Sequence, residues 1–143
     1  MNRNITIAIF LTIMSTAASA QKLKSYSSGA TLYYMEGSQV KSYASGTALY
    51  VIDKNTFKDY SSGSSLYYKD GNLVKDYGSG NALYIIDGAN IKEYASGKIL
   101  YFKDDNKIKN YSNGQTEYYY EDGVFPLWII TCIIDAGKHN KAK

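Results

Sequence analysis

Hydrophobic and polar residues alternate in short runs between residues 21 and 123, and each run ends at turn residues such as Gly, Asn or Asp. The stretch "VKDYGSGNALYIID" at 74–87 shows the unit: apolar-Lys-polar-Tyr, then Ser-Gly, then Leu-Tyr and further apolar residues. "FKDYSSGSSLYYKD" precedes it and "IKEYASGKILYFKD" follows it, each at an offset of 17 residues. The unit occurs six times without an insertion, and such a fixed period indicates a repeat architecture.

Four columns of residues define the repeat. The first tyrosine column contains Tyr26, Tyr43, Tyr60, Tyr77, Tyr94 and Tyr111. The lysine column, two positions earlier, contains Lys24, Lys41, Lys58, Lys75, Lys92 and Lys109. The second tyrosine column contains Tyr33, Tyr50, Tyr67, Tyr84, Tyr101 and Tyr118. The glycine column contains Gly29, Gly46, Gly63, Gly80, Gly97 and Gly114.

The two apolar runs of each unit predict short antiparallel β-strands. They are rich in Tyr, Val, Ile and Leu and are bounded by turn residues, which is typical of strands. The Ser-Gly pair closes one turn of the unit because glycine accepts the positive φ of a tight turn. Runs of about five residues between glycines are too short to form helices. The sequence therefore predicts a meander of about twelve strands, two per unit.

The register of these hairpins has two interpretations. A two-residue loop at 28–29 would place Tyr26 and Tyr33 on the same face of the sheet. A three-residue loop at 27–29 would instead place Tyr26 with Leu32, and a shift of one residue exchanges the two faces completely. The second interpretation is slightly preferred because it gathers Tyr26, Leu32 and their repeats into one apolar face.

The meander is expected to close into a ring. An open sheet of this length would expose two strand edges, and neither the first unit nor the last carries the distinct residues of a capping repeat. Pairing of the sixth unit with the first removes both edges and gives an all-β, radially arranged, shallow barrel. A ring of twelve strands is wider than the roughly eight strands whose own side chains fill the interior. Something else must therefore fill it.

The segment "VFPLWIITCII" at 124–134 breaks the repeat and is apolar on nearly every side, which is typical of a buried element. It is too short to cross a bilayer. Pro126 favours a helix, since proline suits a first helical turn, whereas the β-branched isoleucines also suit a strand; the helix is preferred. We expect the segment to fill the barrel with Leu127, Trp128, Ile129, Ile130, Cys132, Ile133 and Ile134.

The chain thus divides into four parts: a signal peptide at 1–20, a six-hairpin β domain at 21–123, a barrel-filling segment at 124–135 and a frayed polar tail at 136–143. The signal peptide is predicted from Arg3, a short apolar run and the small residues Ala18-Ser19-Ala20. The run is too short for a membrane anchor. We therefore expect export to the periplasm or the outside of the cell, with no transmembrane span in the mature chain.

The "YxSGxxLY" spacing together with "PLWIITCII" resembles the β-flower proteins, small exported bacterial proteins of unassigned function. The resemblance covers residues 21 to about 135 and implies radially arranged hairpins around a shallow barrel. The layout is also similar to the Tubby C-terminal domain, a twelve-stranded barrel around a hydrophobic C-terminal helix. Tubby domains bind phosphoinositides through a basic pocket, but no arginine follows residue 20 here, so no binding residue is transferred.

The charge balance argues against nucleic acid as a partner. Arg3 is the only arginine among 16 basic residues, so 15 lysines face 13 acidic residues after residue 20, a net charge of about +2. Proteins that bind phosphate backbones usually show arginine and a marked basic excess. Cys132 is the only cysteine, so no internal disulfide forms and stability must come from packing and strand pairing.

No catalytic constellation stands out, and neither a catalytic residue nor a metal or cofactor is predicted. His139 is the only histidine and lies in the polar tail, where a solvated side chain is the simpler interpretation. Cys132 lies among isoleucines, which favours a buried, inert thiol. A column of acids could gather Ca²⁺ at the turns, although Asp before Gly is also an ordinary turn residue. This column contains Glu36, Asp53, Asp70, Asp87, Asp104 and Glu121.

The lysine column and the first tyrosine column are the candidate surface-binding residues. Six lysines in a ring would attract an anionic surface, but the neighbouring Asp59, Asp76 and Glu93 are expected to offset much of that charge. Exposed tyrosines stack on sugars, yet cross-strand tyrosine ladders also stabilise a sheet by about 0.2–1 kcal/mol per pair without any ligand. Packing is therefore the preferred interpretation for the tyrosines, and a solvated side chain whose alkyl stem covers its neighbours is preferred for the lysines.

The sequence favours an exported, non-catalytic envelope protein that acts as a structural or binding module on a glycan, lipid or protein. The alternative is a carrier that holds a small hydrophobic ligand or lipid in the barrel channel. An envelope hydrolase is the least favoured interpretation, since no nucleophile lies beside a base.

Overall fold

A computed structural model describes residues 20–141. It contains twelve strands and one helix. The strands are β1 Gln21–Ser25, β2 Thr31–Glu36, β3 Gln39–Ser42, β4 Ala48–Asp53, β5 Thr56–Asp59, β6 Ser65–Asp70, β7 Leu73–Asp76, β8 Ala82–Asp87, β9 Asn90–Glu93, β10 Ile99–Asp104, β11 Lys107–Asn110 and β12 Thr116–Glu121. The helix is α1 Leu127–Lys141. The predicted signal peptide lies almost entirely outside the described residues.

Every strand pairs antiparallel with its neighbours in sequence, and β12 pairs with β1. The closing ladder aligns Leu23 with Tyr120 and Lys24 with Tyr119. This pairing satisfies the last two edges, so the sheet is a closed barrel of twelve strands. The predicted fold class is confirmed.

The hairpin within each unit closes through a four-residue loop. In the first unit the amide of Ser25 donates to the carbonyl of Ala30 at 2.9 Å, and the amide of Gly29 donates to the carbonyl of Ser25 at 2.9 Å. Gly29 has a φ of 68°, a left-handed conformation that glycine adopts easily because it has no Cβ atom. Neither the two-residue nor the three-residue loop predicted from the sequence is right.

A β-bulge follows each of these loops and sets which residues face inward. Leu23 pairs with Tyr33, but the next residue, Lys24, pairs with Thr31, so Leu32 is the extra residue. Leu32 and Tyr33 consequently both face the interior, while Tyr26 lies outside. The prediction that Tyr26 and Leu32 share a face is therefore wrong.

The two ends of the barrel differ. One end, called the loop end below, carries the six four-residue loops at 26–29, 43–46, 60–63, 77–80, 94–97 and 111–114. The other end, called the turn end, carries the two-residue turns at 37–38, 54–55, 71–72, 88–89 and 105–106 and the connection from β12 to α1. Each strand therefore runs from one end to the other.

The helix passes through the barrel from the turn end to the loop end. Leu127 lies beside the turn residues Asp105 and Asn106, whereas His139 lies beside the loop residues Ser79 and Asn81. The carbonyl of Pro126 accepts the first helical amides, in agreement with the predicted helical start. The helix in the barrel centre is confirmed, and the strand alternative is wrong.

The helix extends further than the sequence suggested. Residues 136–141, assigned to a frayed tail, continue α1, and the last two residues of the chain lie outside the described range. Ala136 is buried against the barrel wall, so the packing surface does not stop at residue 135. Lys138, His139 and Lys141 lie in the last turn, where positive charge interacts favourably with the helix dipole.

The core lies between the helix and the inner wall. One apolar residue from each unit points inward with an exposed fraction of 1% or less: Leu23, Val40, Phe57, Val74, Ile91 and Ile108. From the predicted filling residues, Ile129, Ile130, Cys132 and Ile133 are buried, and Leu127, Trp128 and Ile134 are partly buried against the same core. Each hairpin thus contributes one fully buried residue to the common core.

Candidate functional site

The first tyrosine column forms a ring on the outside of the loop end. Its six side chains have exposed fractions between 49% and 54%: Tyr26, Tyr43, Tyr60, Tyr77, Tyr94 and Tyr111. Each tyrosine is the first residue of a four-residue loop, directly after a strand. Its amide remains in the ladder, as when the amide of Tyr43 donates to the carbonyl of Leu32 at 3.0 Å. The backbone therefore fixes the main-chain positions of these exposed tyrosines around the ring.

Four of the exposed tyrosines, Tyr26, Tyr43, Tyr77 and Tyr111, pack on an aromatic side chain of a neighbouring strand. The ring of Tyr43 meets that of Tyr34 edge to face, with centroids 6.2 Å apart and planes at 86°. Tyr77 packs on Tyr68 in the same way, at 5.9 Å and 85°. Such contacts contribute roughly 0.5–1.5 kcal/mol each. These four rings are thus held against a neighbouring aromatic side chain while about half of each side chain stays exposed.

The lysine column lies on the outer wall, and each of its members forms an ion pair. The Nζ of Lys41 lies 2.6 Å from the Glu36 carboxylate, and this contact raises the pKa of Lys41. The other pairs follow the same pattern: Lys24–Glu121, Lys58–Asp53, Lys75–Asp70, Lys92–Asp87 and Lys109–Asp104. The lysines are thus neutralised by the acidic turn column, not by the adjacent acids named from the sequence.

The acidic column therefore has a structural partner at every position. Within residues 20–141 no group of three or more His, Cys, Asp or Glu side chains is arranged to hold a metal ion. Exposed ion pairs of this kind contribute little to stability, on the order of 0–1 kcal/mol. Their main effect is to cancel charge around the outer wall.

The second tyrosine column lies inside the barrel, around the last turns of α1. Tyr67 donates a hydrogen bond of 2.6 Å to Oδ2 of Asp135, and Tyr84 donates to Oδ1 of the same carboxylate. Burial and the adjacent carboxylate raise the pKa of both phenols. Burial also raises the pKa of Tyr101 to about 12. Asp135 is buried, and each of its carboxyl oxygens accepts one of these hydrogen bonds.

Sequence analysis missed Asp135. The sequence does contain a signal that marks Asp135 as unusual: this residue is the only acidic one after Asp122, and it directly follows the apolar run of the helix. A buried carboxylate needs donors, and the second tyrosine column supplies phenol hydroxyls on the facing wall. Sequence analysis ended the barrel-filling segment at residue 135 and assigned no partner to Asp135, so this pairing was not predicted.

Two clefts open at the loop end on opposite sides of α1. The acidic cleft, about 500 Å³, contains Asp59, Asp76, Asp135 and His139. The amide and hydroxyl of Ser79 bind Asp76 and lower the pKa of that carboxyl, so it is charged at neutral pH. Backbone and side-chain donors of Ser61 and Ser62 likewise lower the pKa of Asp59. Asp59 and Asp76 therefore give this cleft negative charge.

The lysine cleft, about 300 Å³, lies on the other side of the helix. Its wall includes Tyr33, Tyr101 and Tyr118, and its helical side includes Gly137, Lys138 and Lys141. Leu23, Leu32, Ile133 and Ile134 form its apolar part. No carboxylate from the described part of the chain lines it.

The two residues considered for nucleophilic chemistry lie in different settings. Cys132 is fully buried, and burial raises the pKa of its thiol above the ordinary value. His139 is mostly exposed, as expected, but it is part of the helix, and its Nε2 lies 3.4 Å from Oδ2 of Asp135. A thiol without access to solvent and with a raised pKa is a poor nucleophile.

A shallow groove of about 910 Å³ lies at the turn end, between the β12–α1 connection and the turns at 88–89 and 105–106. Charges of both signs line it, including Lys103, Asp105 and Asp122. Val124 is exposed beside it. The groove lacks the repeated aromatic side chains that distinguish the loop end.

No family model, curated protein or solved structure matches this chain. Between residues 20 and 141, no helix combines the length and apolar character needed to span a membrane. The candidate site is therefore defined by geometry alone: a loop end with an outer ring of six tyrosines and two inner clefts of opposite charge.

Proposed function

We propose that the protein is an exported, non-catalytic binding module of the cell envelope, and that its outer tyrosine ring contacts a polysaccharide. One observation carries the proposal. Among the described residues, the large hydrophobic side chains that are clearly exposed are Val124 and the six members of the first tyrosine column. Concentration of exposed aromatic surface in one repeated position is typical of an interaction site.

The chemistry of the loops suits a sugar. A pyranose presents a C–H face beside a rim of hydroxyls, and a tyrosine offers an apolar ring face and a hydroxyl at its edge. Serine hydroxyls lie within one to three residues of each tyrosine, as in Ser61 and Ser62 after Tyr60. Loops rich in Tyr, Ser and Gly are common binding surfaces because Tyr gives contact area at low entropic cost.

Six equivalent positions around one ring also suit a polymer with repeated units. A weak contact at one tyrosine places the next sugar unit near a second tyrosine, so the later contacts are effectively intramolecular. A polysaccharide of the envelope therefore gains affinity that a single sugar does not.

A lipid surface is a less favoured partner for this ring. Attraction to anionic headgroups needs unpaired positive charge, and the six lysines of the outer wall are paired with carboxylates. A contact through exposed aromatic rings and hydroxyls does not depend on net charge. The ring therefore favours a neutral, hydroxylated ligand.

The non-catalytic part of the proposal is supported by the setting of Cys132 and His139. The thiol is buried, and the imidazole lies against a carboxylate whose oxygens already accept two phenol hydrogen bonds. Export is supported by the pattern of residues 1–20 alone. The carrier alternative has less support, because Ile130 and Cys132 of α1 fill the barrel channel with no exposed surface.

The test is co-sedimentation of the purified protein with insoluble envelope polysaccharide, such as peptidoglycan sacculi. Replacement of all six tyrosines of the first column by Ser should reduce binding at least about tenfold, because several aromatic contacts are lost. Replacement by Phe keeps the rings and should retain most of the binding. Thermal unfolding must show that both variants fold.

Binding that survives the Ser replacements would overturn the proposal. So would binding of the wild-type protein to lipid vesicles or to an envelope protein, but not to polysaccharide.

A further inference from the structure

We propose that the lysine cleft binds a single-chain aliphatic carboxylate, with the chain against the apolar part of the cleft and the carboxylate at Lys138 and Lys141. This inference does not depend on polysaccharide binding by the outer ring. It concerns the inner side of the loop end, between α1 and the barrel wall.

The cleft lies beside Gly137, where the helix presents no side chain to the barrel wall. A Cβ built on Gly137 has no atom within 4 Å, so there is open space beside the helix at this position. The wall continues past this point with Tyr33, Tyr101 and Tyr118. A larger residue at position 137 would fill this space between the helix and the wall, whereas glycine leaves it open.

The lining changes in character along the cleft. Leu23, with an exposed fraction of 1%, and Ile133, at 4%, belong to the buried core. The helical side leads from Ile133 and Ile134 through Gly137 to Lys138 and Lys141 at the end of α1. An apolar interior with positive charge at the exit is complementary to an amphiphile with an anionic head.

The volume limits the ligand to one short chain. About 300 Å³ is at the lower end of the range for small-molecule pockets. A lipid with two acyl chains does not fit this space. A medium-chain fatty acid such as decanoate matches this volume.

The acidic cleft on the opposite side of the helix provides an internal contrast. It carries Asp59, Asp76 and Asp135 and would repel a carboxylate. A cationic amphiphile of the same chain length should prefer that cleft. Probes of opposite charge therefore distinguish the lysine cleft from general hydrophobic binding at the loop end.

The first experiment is isothermal titration calorimetry of the purified protein with hexanoate, octanoate and decanoate, each below its micelle concentration. Affinity should rise about fourfold per buried methylene group until the cleft is full. Decanol is the neutral head-group control and should bind at least about tenfold more weakly than decanoate. Decyltrimethylammonium should not compete with decanoate, because it prefers the acidic cleft. Equal affinity for decanol and decanoate, or no dependence on chain length, overturns the proposal.

The second experiment uses variants. Gly137→Leu places a side chain in the cleft and should reduce decanoate affinity at least about tenfold, and Gly137→Ala should reduce it less, because only one methyl group enters the cleft. Lys138→Gln should weaken binding several-fold and Lys138→Arg should restore it. Lys54→Gln removes the same charge at the turn end and is the matched control.

Unchanged affinity in Gly137→Leu or in Lys138→Gln would contradict the assignment. If Gly137→Leu does not fold, the comparison of Lys138→Gln with Lys54→Gln decides it. Sedimentation with polysaccharide should be unaffected in all these variants, because none of them alters the outer tyrosine ring.

Discussion

The phenol of Tyr67 donates a hydrogen bond of 2.6 Å to the carboxylate of Asp135, 68 residues later in the chain. This bond joins the barrel wall to the helix at the loop end. The six units are nearly equivalent, but Asp135 contacts the tyrosines of only two of them, Tyr67 and Tyr84. The contact therefore fixes the rotational setting of the helix in a wall that offers six similar ones.

Asp135→Ala should lower the free energy of unfolding by about 2–3 kcal/mol, because it removes two hydrogen bonds and leaves the buried phenol of Tyr67 and the partly buried phenol of Tyr84 without this acceptor. Tyr67→Phe should cost about 1–2 kcal/mol for the same reason. Denaturant unfolding measures both, and a double-mutant cycle should show strong coupling between them.

Tyr50→Phe is the control for this pair. Tyr50 occupies the same column and is buried, but no side-chain hydrogen bond of its hydroxyl is seen among residues 20–141. Its replacement should be nearly neutral. Additive effects of Asp135→Ala and Tyr67→Phe would show that the hydrogen bond does not carry the stabilisation.

Stability should fall at alkaline pH. The pKa of Tyr101 is raised to about 12 in the folded state, and burial together with Asp135 raises the pKa values of Tyr67 and Tyr84. Between the ordinary phenol pKa of about 10 and these raised values, the folded state holds more protons than the unfolded state. The stabilisation is therefore complete below about pH 10 and is lost progressively above it.

Urea unfolding between pH 9 and pH 12, with tyrosinate absorbance followed in parallel, tests this expectation. The loss of stability should be smaller in Tyr101→Phe than in the wild-type protein. Stability that stays constant or rises with pH over this window would contradict the burial of these phenols.

A turn-end substitution should stabilise the barrel. Lys54 has a φ of 56°, whereas the corresponding turn residues Gly37 and Gly71 are glycines with φ of 59° and 60°. A residue with a Cβ atom costs roughly 1–2 kcal/mol at such a positive φ. Glycine avoids this strain, but it loses more conformational entropy on folding, which offsets part of the gain. Lys54→Gly should therefore raise the free energy of unfolding by about 0.5–1 kcal/mol.

Gly71→Ala is the reverse experiment and should destabilise by a similar amount, since a Cβ there meets no neighbour and only the backbone strain is changed. Thermal and denaturant unfolding of the two variants should move in opposite directions. Destabilisation by Lys54→Gly would contradict this prediction, because it would show that the lysine side chain stabilises the fold by more than the backbone strain at residue 54 costs.

Gly137→Ala should also stabilise the protein. Gly137 lies inside α1 with open space beside it, and glycine is about 0.8–1.0 kcal/mol worse than alanine in a helix interior. Because residue 137 is near the helix end, we expect a gain of about half that value. A melting temperature at or below that of the wild-type protein would contradict this account of the open space.

The repeat carries most of the information about the fold. Six copies of one strand-turn-strand pattern predict the hairpins, and the absence of capping units predicts ring closure. The apolar run after residue 123 predicts the central helix, since a wide ring needs a filling element. These inferences depend on residue type and period alone, which a sequence displays directly.

The register was not available from the same pattern. "YSSG" is compatible with loops of two, three or four residues, and only the hydrogen bonds of Ser25 and Gly29 define the four-residue loop. The bulge that turns both Leu32 and Tyr33 inward follows from that loop and breaks the simple alternation. Face assignments from alternation therefore failed at this point.

The candidate site was predicted in part. The sequence names the first tyrosine column, with packing preferred to a ligand-stacking site, and the structure shows six half-exposed rings, four of which pack on a neighbouring aromatic side chain. The contact of Tyr67 with Asp135 depends on how the helix is rotated in the barrel, which no local pattern specifies. The resemblance to the β-flower proteins stays a prediction.

The most direct test of the central claim is a chemical-shift map of the isotope-labelled protein titrated with soluble fragments of envelope polysaccharide. The proposal predicts progressive shifts at the amides of the six loops that begin at Tyr26, Tyr43, Tyr60, Tyr77, Tyr94 and Tyr111. The turn end should be unaffected. Shifts confined to the turn-end groove, or none at saturating fragment, would contradict the assignment of the tyrosine ring as the binding surface.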